Sequence, residues 1–181
     1  MRRVALMAAS LVLATAAWGQ HPLRHVLFDF EDGVDEWWVN VWGGGGEVEL
    51  SVADRPKFGS GALHSEVMGV EQGGNSISPW LPEDAGWRQY QWRQISLWFR
   101  GDGSPTHASL RVETGVGEEI DQGYSLNLPM DSTDWRRISA PLGAFWNREG
   151  VPMDARRIVR MYIGSSGTHH FEVDQIALEA E

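Results

Sequence analysis

The chain has 181 residues and a formal net charge of −10 at pH 7. An acidic surface repels phosphate backbones and anionic lipid headgroups, so the composition argues against nucleic acid and membrane surfaces as partners. The sequence contains no cysteine, which excludes disulfides, thiolate nucleophiles and zinc–thiolate sites.

The first twenty residues, MRRVALMAASLVLATAAWGQ, combine two arginines, a short apolar run and a stretch of small residues. This order is typical of a secretory signal peptide, and the apolar run is too short for a membrane-spanning helix. Ala17 and Gly19 fit the small-x-small pattern of a cleavage site. We therefore predict a signal peptide over residues 1–19 and a secreted or periplasmic location. A retained N-terminal anchor is the alternative.

The remainder, residues 20–181, contains short segments that are rich in β-branched and aromatic residues and separated by glycine or polar turns. No segment has a sustained helical period, although Pro141 to Trp146 could hold one turn. This pattern predicts an all-β fold, a single β-sandwich jelly roll of two antiparallel sheets. In chain order, the predicted strands are 25–31, 47–53, 61–67, a weaker candidate around Ser76 to Leu81, 94–100, 108–114, 124–130, 135–142, 157–164 and 170–179.

The polar faces of these strands carry an unusual set of side chains. In QISLWFR (94–100), apolar and polar residues alternate, and Trp98 lies in the polar phase. The ten tryptophans of the chain are also more than the core of a small sandwich requires. Sugars offer CH faces that stack on rings and hydroxyls that pair with forked polar groups. We therefore predict one carbohydrate-binding face, formed by Trp98, Arg100, Arg111, Glu113, Asn127, Arg160 and Tyr162. A solvated face whose charges pair across strands is the alternative.

The last predicted strand changes its phase along its length. Phe171 and Val173 occupy odd positions, whereas Ile176 and Leu178 occupy even ones. A slip of one residue predicts a β-bulge at Asp174–Gln175, and bulges redirect side chains.

Several segments resemble a known family. The chain resembles the carbohydrate-binding modules of family eleven and relatives such as family four, which are galactose-binding-like jelly rolls, from about His25 to its end. It also resembles the complex I intermediate-associated protein thirty family. The resemblance is carried by FDFEDG (28–33) followed by Trp37, DRPKFGSGAL (54–63), ISLWFRGDG (95–103), DSTDWRRISAPLGAF (131–145) and FEVDQIAL (171–178).

The resemblance implies a structural calcium ion that ties the first and last strands together. Carried over by position, its ligands are Glu31, Asp54, the carbonyl of Lys57 and Asp174. Calcium takes six to eight oxygens, so these groups with further carbonyls and water are a plausible set. The relatives often have two acids where this chain has Asp174 and Gln175. The alternative is that these acids only cap turns.

No catalytic pattern is evident. A glycosidase needs two carboxylates across a cleft, but GVGEEIDQG (115–123) fits a solvated hairpin loop, and no GxSxG motif occurs. His21 would resemble an N-terminal copper ligand only if cleavage followed Gln20. We therefore predict an exported, non-catalytic protein that binds a polysaccharide or oligosaccharide. The alternative is a structural or assembly protein that uses the same aromatic face for a protein partner.

Overall fold

The computed structural model of the chain describes residues 23–41, 47–68, 74–165 and 167–180, with only the backbone described for residues 74–77. The predicted signal peptide and its cleavage site lie outside these residues, as does His21. Within the described ranges, no helix has the length and apolar character needed to cross a membrane.

The described residues form short strands joined by turns, with three single-turn 3-10 helices at Gly86–Gln89, Leu142–Ala144 and Ala155–Arg157. The strands are β1 (Arg24–Phe28), β2 (Trp38–Val41), β3 (Glu47–Val52), β4 (Leu63–Met68), β5 (Gly74–Ile77), β6 (Gln94–Arg100), β7 (His107–Val116), β8 (Glu119–Pro129), β9 (Arg136–Pro141), β10 (Ile158–Ser165) and β11 (His169–Glu179).

Two antiparallel sheets pack face to face. Sheet A has the strand order β3-β4-β11-β6-β9, and β1 also pairs with β11. Sheet B has the order β2-β5-β10-β7-β8. The predicted all-β sandwich is confirmed, and the sequence neighbours β10 and β11 lie in different sheets.

The core lies between the sheets and follows from the alternation of the strands. Ile95 and Leu97 point inward from sheet A, and Leu110 and Met161 point inward from sheet B; all four are fully buried. Burial of one such side chain is worth about 1.5–3 kcal/mol relative to exposure. The apolar phase thus fixes which face of each strand turns inward, and the polar phase forms the two outer faces.

Two local features differ from the sequence prediction. The hairpin predicted at residues 115–123 is present, but its loop is shorter than predicted, because β7 and β8 continue pairing up to Val116 and Glu119. Gly117 makes this tight turn possible with φ of 56°, a conformation that favours glycine. Strand β2 was not predicted, because its four residues are too few to display a clear alternation.

The predicted β-bulge is confirmed. The pairing of β11 with β6 shifts register between Asp174 and Ala177, and Gln175 has φ of 48°. On the neighbouring segment, Phe30 has φ of 60°. Two residues other than glycine therefore adopt the left-handed conformation close to the predicted calcium ligands Glu31 and Asp174.

Candidate functional site

The seven predicted carbohydrate-binding residues lie on opposite sides of the sandwich. Trp98 and Arg100 belong to β6 in sheet A, whereas the other five belong to sheet B. The prediction of one continuous face is therefore wrong. Alternation specifies which face of a strand a residue occupies, but it does not specify which sheet the strand joins. The residues that sheet B brings together are Arg111, Glu113, Asn127, Arg160 and Tyr162.

A single row of residues crosses the outer face of sheet B. Directly paired residues on antiparallel strands share a face. The pairings place Trp38, Tyr162, Arg111, Ser125 and Trp146 in this order across the sheet, with the backbone of β5 between Trp38 and Tyr162, and we call these five residues the Tyr162 row. Strands lie about 4.8 Å apart, so the two ends of the row are roughly 20–25 Å apart.

Both ends of the Tyr162 row carry open aromatic rings. Trp38 is 56% exposed and Trp146 is 59% exposed. Large apolar side chains with that much exposure cover no core, so their rings are available for stacking. Neither residue was predicted, although the surplus of tryptophans in the sequence is the signal that could have found them.

A charged network occupies the centre of this face. Glu113 is buried and accepts hydrogen bonds from the guanidinium of Arg160, with 2.8 Å between Nε and Oε2. Arg111 completes the network, with its Nε 3.8 Å from Oε1 of Glu113. Each guanidinium also lies over a ring: Arg160 over Trp80 at 4.7 Å and Arg111 over Tyr162 at 5.3 Å. The network therefore holds both arginines against aromatic surfaces.

The hydroxyl of Tyr162 keeps its proton at neutral pH and donates it in a hydrogen bond to the carboxylate of Glu113. Burial raises the pKa of Tyr162 to about 12, despite the opposing effect of the nearby Arg111. One row away, Asn127 is exposed and pairs with Ser109, so an amide and a hydroxyl add both donors and acceptors.

A groove of about 420 Å³ runs along β8 at one end of the Tyr162 row. Hydrogen bonds from Asn147 to Gln122 (2.9 Å) and from Gln122 to Glu149 (2.8 Å) fix its wall. A Cβ on Gly123 would lie 3.2 Å from Nη2 of Arg111, so the glycine leaves room for the guanidinium. The groove is lined by Arg111, Asp121, Gln122, Gly123, Ser125, Trp146, Asn147, Arg148 and Glu149.

Trp98 has a different environment on sheet A. Its ring packs edge-on against Phe58, with 5.6 Å between the ring centroids, and Nζ of Lys57 lies 4.3 Å from its centroid. The 57–58 segment therefore covers Trp98, which is half-buried rather than an open stacking surface.

We expect Trp98→Ala to lower the free energy of unfolding by about 1–2 kcal/mol, less than the 3–5 kcal/mol typical of a fully buried aromatic residue. Because sheet B is the other layer of the sandwich, any sugar binding by that sheet should not change. Urea denaturation and sugar titration of the same protein test this, and Phe58→Ala is the matched control because it removes the same contact from the other side. Loss of sugar binding with unchanged stability would contradict this expectation.

The predicted calcium ligands are only partly brought together. The Glu31 carboxylate accepts hydrogen bonds from the backbone N–H of Ser60 (3.0 Å), the hydroxyl of Ser60 (2.8 Å) and the backbone N–H of Gly61 (3.3 Å). These hydrogen bonds, above all that from the Ser60 backbone, lower the pKa of Glu31. Glu31 thus caps the turn that follows residue 57.

Asp174 is fully buried at the bulge. Its Oδ2 accepts a hydrogen bond from the backbone N–H of Phe58 at 2.8 Å, and the backbone N–H of Lys57 also donates to its carboxylate. Its Oδ1 has no hydrogen-bond partner among the described residues. Burial raises the pKa of Asp174, and the negative charge of Glu31 adds to that shift.

The prediction that Asp54 joins these acids is wrong. Asp54 is exposed and lines a separate groove with Arg100 and Glu172. In the part of the chain that the structure describes, no three His, Asp or Glu side chains form a group that could hold a metal ion. Two carboxylates, Glu31 and Asp174, remain together beside the backbone of Lys57.

Comparisons with known proteins agree with the fold. The family model described as carbohydrate binding domain (family 11) matches residues 16–178. No curated protein sequence matches the chain. One similar solved structure is a family 11 carbohydrate-binding module from Clostridium thermocellum in complex with a β-1,3-1,4-mixed-linked tetrasaccharide. It is 20% identical, with a TM-score of 0.68, and the match covers 87% of this chain and 95% of that chain.

Two further structures are similar. The family 11 module of the cellulosomal cellulase Lic26A-Cel5E of Clostridium thermocellum is 19% identical, with a TM-score of 0.67, and the match covers 87% of this chain and 95% of that chain. The agarase AgWH50C is 11% identical, with a TM-score of 0.60, and the match covers 88% of this chain and 25% of that chain. The family model spans most of the chain, which belongs to the family 11 carbohydrate-binding domains.

Proposed function

We propose that this chain is an exported, non-catalytic protein that binds a β-linked glucan along the Tyr162 row of sheet B. Family membership supports a carbohydrate ligand. The observation that carries the choice of face is the row itself, with exposed tryptophans at both ends and Tyr162 and Arg111 between them. The N-terminal sequence is the support for export.

The geometry of the row suits a chain of several sugar rings. An extended ligand that crosses the strands can stack on Trp38 and Trp146 while its middle rings reach Tyr162 and Arg111. A mixed-linked β-1,3-1,4-glucan is the ligand that we propose first, because a relative with this fold was solved with such a tetrasaccharide.

The polar groups on this face match sugar hydroxyls in kind. Arg111 and the amide of Asn127 donate hydrogen bonds, and the oxygens of Tyr162, Asn127 and Ser125 accept them. Glu113 is already paired with Arg160, so it serves to hold the arginines in place. Such shallow, solvated sites bind weakly, and we expect a Kd between micromolar and millimolar, roughly −8 to −4 kcal/mol.

A structural calcium ion is part of the proposal. It is supported by Oδ1 of Asp174, which has no hydrogen-bond partner in the described part of the chain, and by the adjacent carboxylate of Glu31. Hard oxygen ligands of this kind suit calcium, and the carbonyl of Lys57, other carbonyls and water would supply the remaining oxygens. The ion would neutralise the two acids and so join the bulge of β11 to the segment that follows β1.

Removal of either terminal ring tests the proposed face. We expect Trp38→Ala and Trp146→Ala each to weaken binding of the mixed-linked tetrasaccharide by about tenfold, or 1.4 kcal/mol. Their melting temperatures should stay close to that of the wild type, because both rings are exposed.

Isothermal titration calorimetry and thermal melts provide these two measurements. Leu23→Ala is the matched control, because Leu23 is 69% exposed and precedes β1 of sheet A. Wild-type affinity in both tryptophan variants would exclude the Tyr162 row as the glucan site. Absence of binding to any glycan by the wild type would favour the protein-partner alternative.

A further inference from the structure

A second row of polar residues crosses the outer face of sheet A. Ser51, His64, Glu172 and Arg100 are paired directly across β3, β4, β11 and β6. They form the floor of a groove of about 380 Å³, within the range of small-ligand sites. We call this the Glu172 groove; it is lined by Ser51, Val52, Ala53, Asp54, Arg55, His64, Arg100 and Glu172.

Hydrogen bonds fix the wall of the Glu172 groove. The carbonyl of Arg55 accepts a hydrogen bond from the indole N–H of Trp135 at 3.1 Å. The turn that carries Arg55 is closed by a hydrogen bond from the backbone N–H of Ala53 to the carbonyl of Ala62, at 2.8 Å. The ring of Trp135 also lies against the guanidinium of Arg100, at 5.3 Å. A site held in this way loses little conformational entropy when it binds a ligand.

The floor of the groove contains a buried charge. Glu172 is only 6% exposed, although it belongs to the outer face. Its carboxylate forms an ion pair with Arg100, and Nδ1 of His64 lies 3.4 Å from its Oε1. The carboxylate of Glu172, the guanidinium of Arg100 and the imidazole of His64 therefore lie together at the bottom of the groove.

The charges of the lining groups cancel. Arg55 and Asp54 are both exposed, and neither forms an ion pair within the described residues. The guanidiniums of Arg55 and Arg100 thus balance the carboxylates of Asp54 and Glu172. A balanced set offers no net attraction to an anion or a cation. It does offer donors and acceptors side by side, which a neutral ligand with vicinal hydroxyls can satisfy together.

We propose that the Glu172 groove is a second saccharide site, specific for a neutral sugar, so that the protein carries one site on each outer face. The inference goes beyond the Tyr162 row, because the two sites lie on different sheets and either can bind without the other. Arg55 and Asp54 form the accessible wall of the second site, and Glu172 and Arg100 form its floor.

Nuclear magnetic resonance titration with neutral sugars tests this proposal. The probes are the mixed-linked tetrasaccharide and, separately, glucose, galactose and mannose; glucuronate is the anionic probe. We expect at least one neutral probe to shift the indole N–H of Trp135 and the backbone amide of Arg55. Arg55→Ala should raise the Kd obtained from these shifts at least tenfold. The Kd obtained from shifts of the Tyr162 row should stay unchanged. Arg93→Ala, which removes an exposed arginine next to β6, is the matched control.

The outcomes separate the two sites. Shifts on sheet B alone would overturn the second site and leave the proposed function intact. Shifts in the groove alone would support the second site and overturn the Tyr162 row. Shifts in the groove with glucuronate but with no neutral sugar would overturn the proposal by making the groove an anion site. Absence of shifts at both faces would overturn both.

Discussion

Replacement of Glu113 by alanine is expected to abolish detectable glucan binding and to lower the free energy of unfolding by about 2–3 kcal/mol, the effect of removing the charged acceptor of a partly buried ion pair. Glu113 is 5% exposed and accepts hydrogen bonds from Arg160. Without the carboxylate, two positive charges remain close together on the face of sheet B. Arg111 and Arg160 would then repel each other and move away from the rings of Tyr162 and Trp80.

Glu113→Gln separates the charge of this residue from its shape. It retains an acceptor oxygen but loses the negative charge, so we expect stability and affinity between those of the wild type and the alanine variant. Glu66→Ala is the control, because Glu66 is an exposed acid on the outer face of sheet A, where a substitution should change stability by less than about 0.5 kcal/mol. Urea denaturation and calorimetric titration of the tetrasaccharide measure both effects. A Glu113→Ala protein with wild-type stability would show that the network does not hold the face together.

The sequence predicted most residues of the proposed glucan-binding face on sheet B, but it did not predict that Trp98 and Arg100 lie on the other sheet. Alternation identified Arg111 and Tyr162 as outward residues, and the structure brings them together. It identified Trp98 as outward equally well. Only the pairing of β6 with β11 places Trp98 on the opposite side of the sandwich. The alternation of residues along one strand does not show which distant strand it pairs with.

The rings that complete the face were not predicted for a related reason. Trp38 belongs to a four-residue strand, and Trp80 and Trp146 lie in connections between strands. Alternation cannot assign a face to a residue outside a regular strand. Their positions depend on tertiary contacts, such as the backbone bridge between Ser125 and Trp146.

The bulge of β11 shows what a local pattern can and cannot specify. The change of phase at Asp174 predicted the register shift correctly, because side-chain direction alternates strictly along a strand. The same pattern gave no information on Asp54. Its direction is set by a turn whose backbone is tied to Ala62 at one end and to Asp174 near its middle, and this turn leaves Asp54 exposed.

Calcium is expected to stabilise the fold through Asp174 and Glu31. An ion that binds only the folded state at a hundred times its Kd adds about 2.7 kcal/mol to the free energy of unfolding. Of the two proposed ligands, Asp174 should have the larger effect, because it is fully buried and its Oδ1 has no hydrogen-bond partner among the described residues. We expect Asp174→Ala to abolish the calcium response, with an additional loss of stability from the removed hydrogen bond to Phe58.

The dependence of the free energy of unfolding on pH, measured without calcium, is an independent test of the Asp174 carboxylate. Burial raises the pKa of Asp174 in the folded state above its value in the unfolded chain. The folded state therefore binds the proton more tightly, and stability from this group is present below the unfolded pKa and is lost as pH rises through the folded pKa. In chelator, Asp174→Asn should remove this loss and melt higher than the wild type at neutral pH.

Thermal melts of the wild type, Asp174→Asn and Asp54→Asn, each in chelator and in excess calcium, test whether calcium acts through Asp174 and not through Asp54. The wild type should gain stability with calcium, and Asp174→Asn should not respond. Asp54→Asn should respond like the wild type, because Asp54 is exposed and lines the Glu172 groove rather than the bulge. A calcium response lost in Asp54→Asn would show that the 53–62 turn rearranges to bring this acid to the ion. Identical melting of the wild type in chelator and in calcium would leave Glu31 and Asp174 as turn-capping acids only.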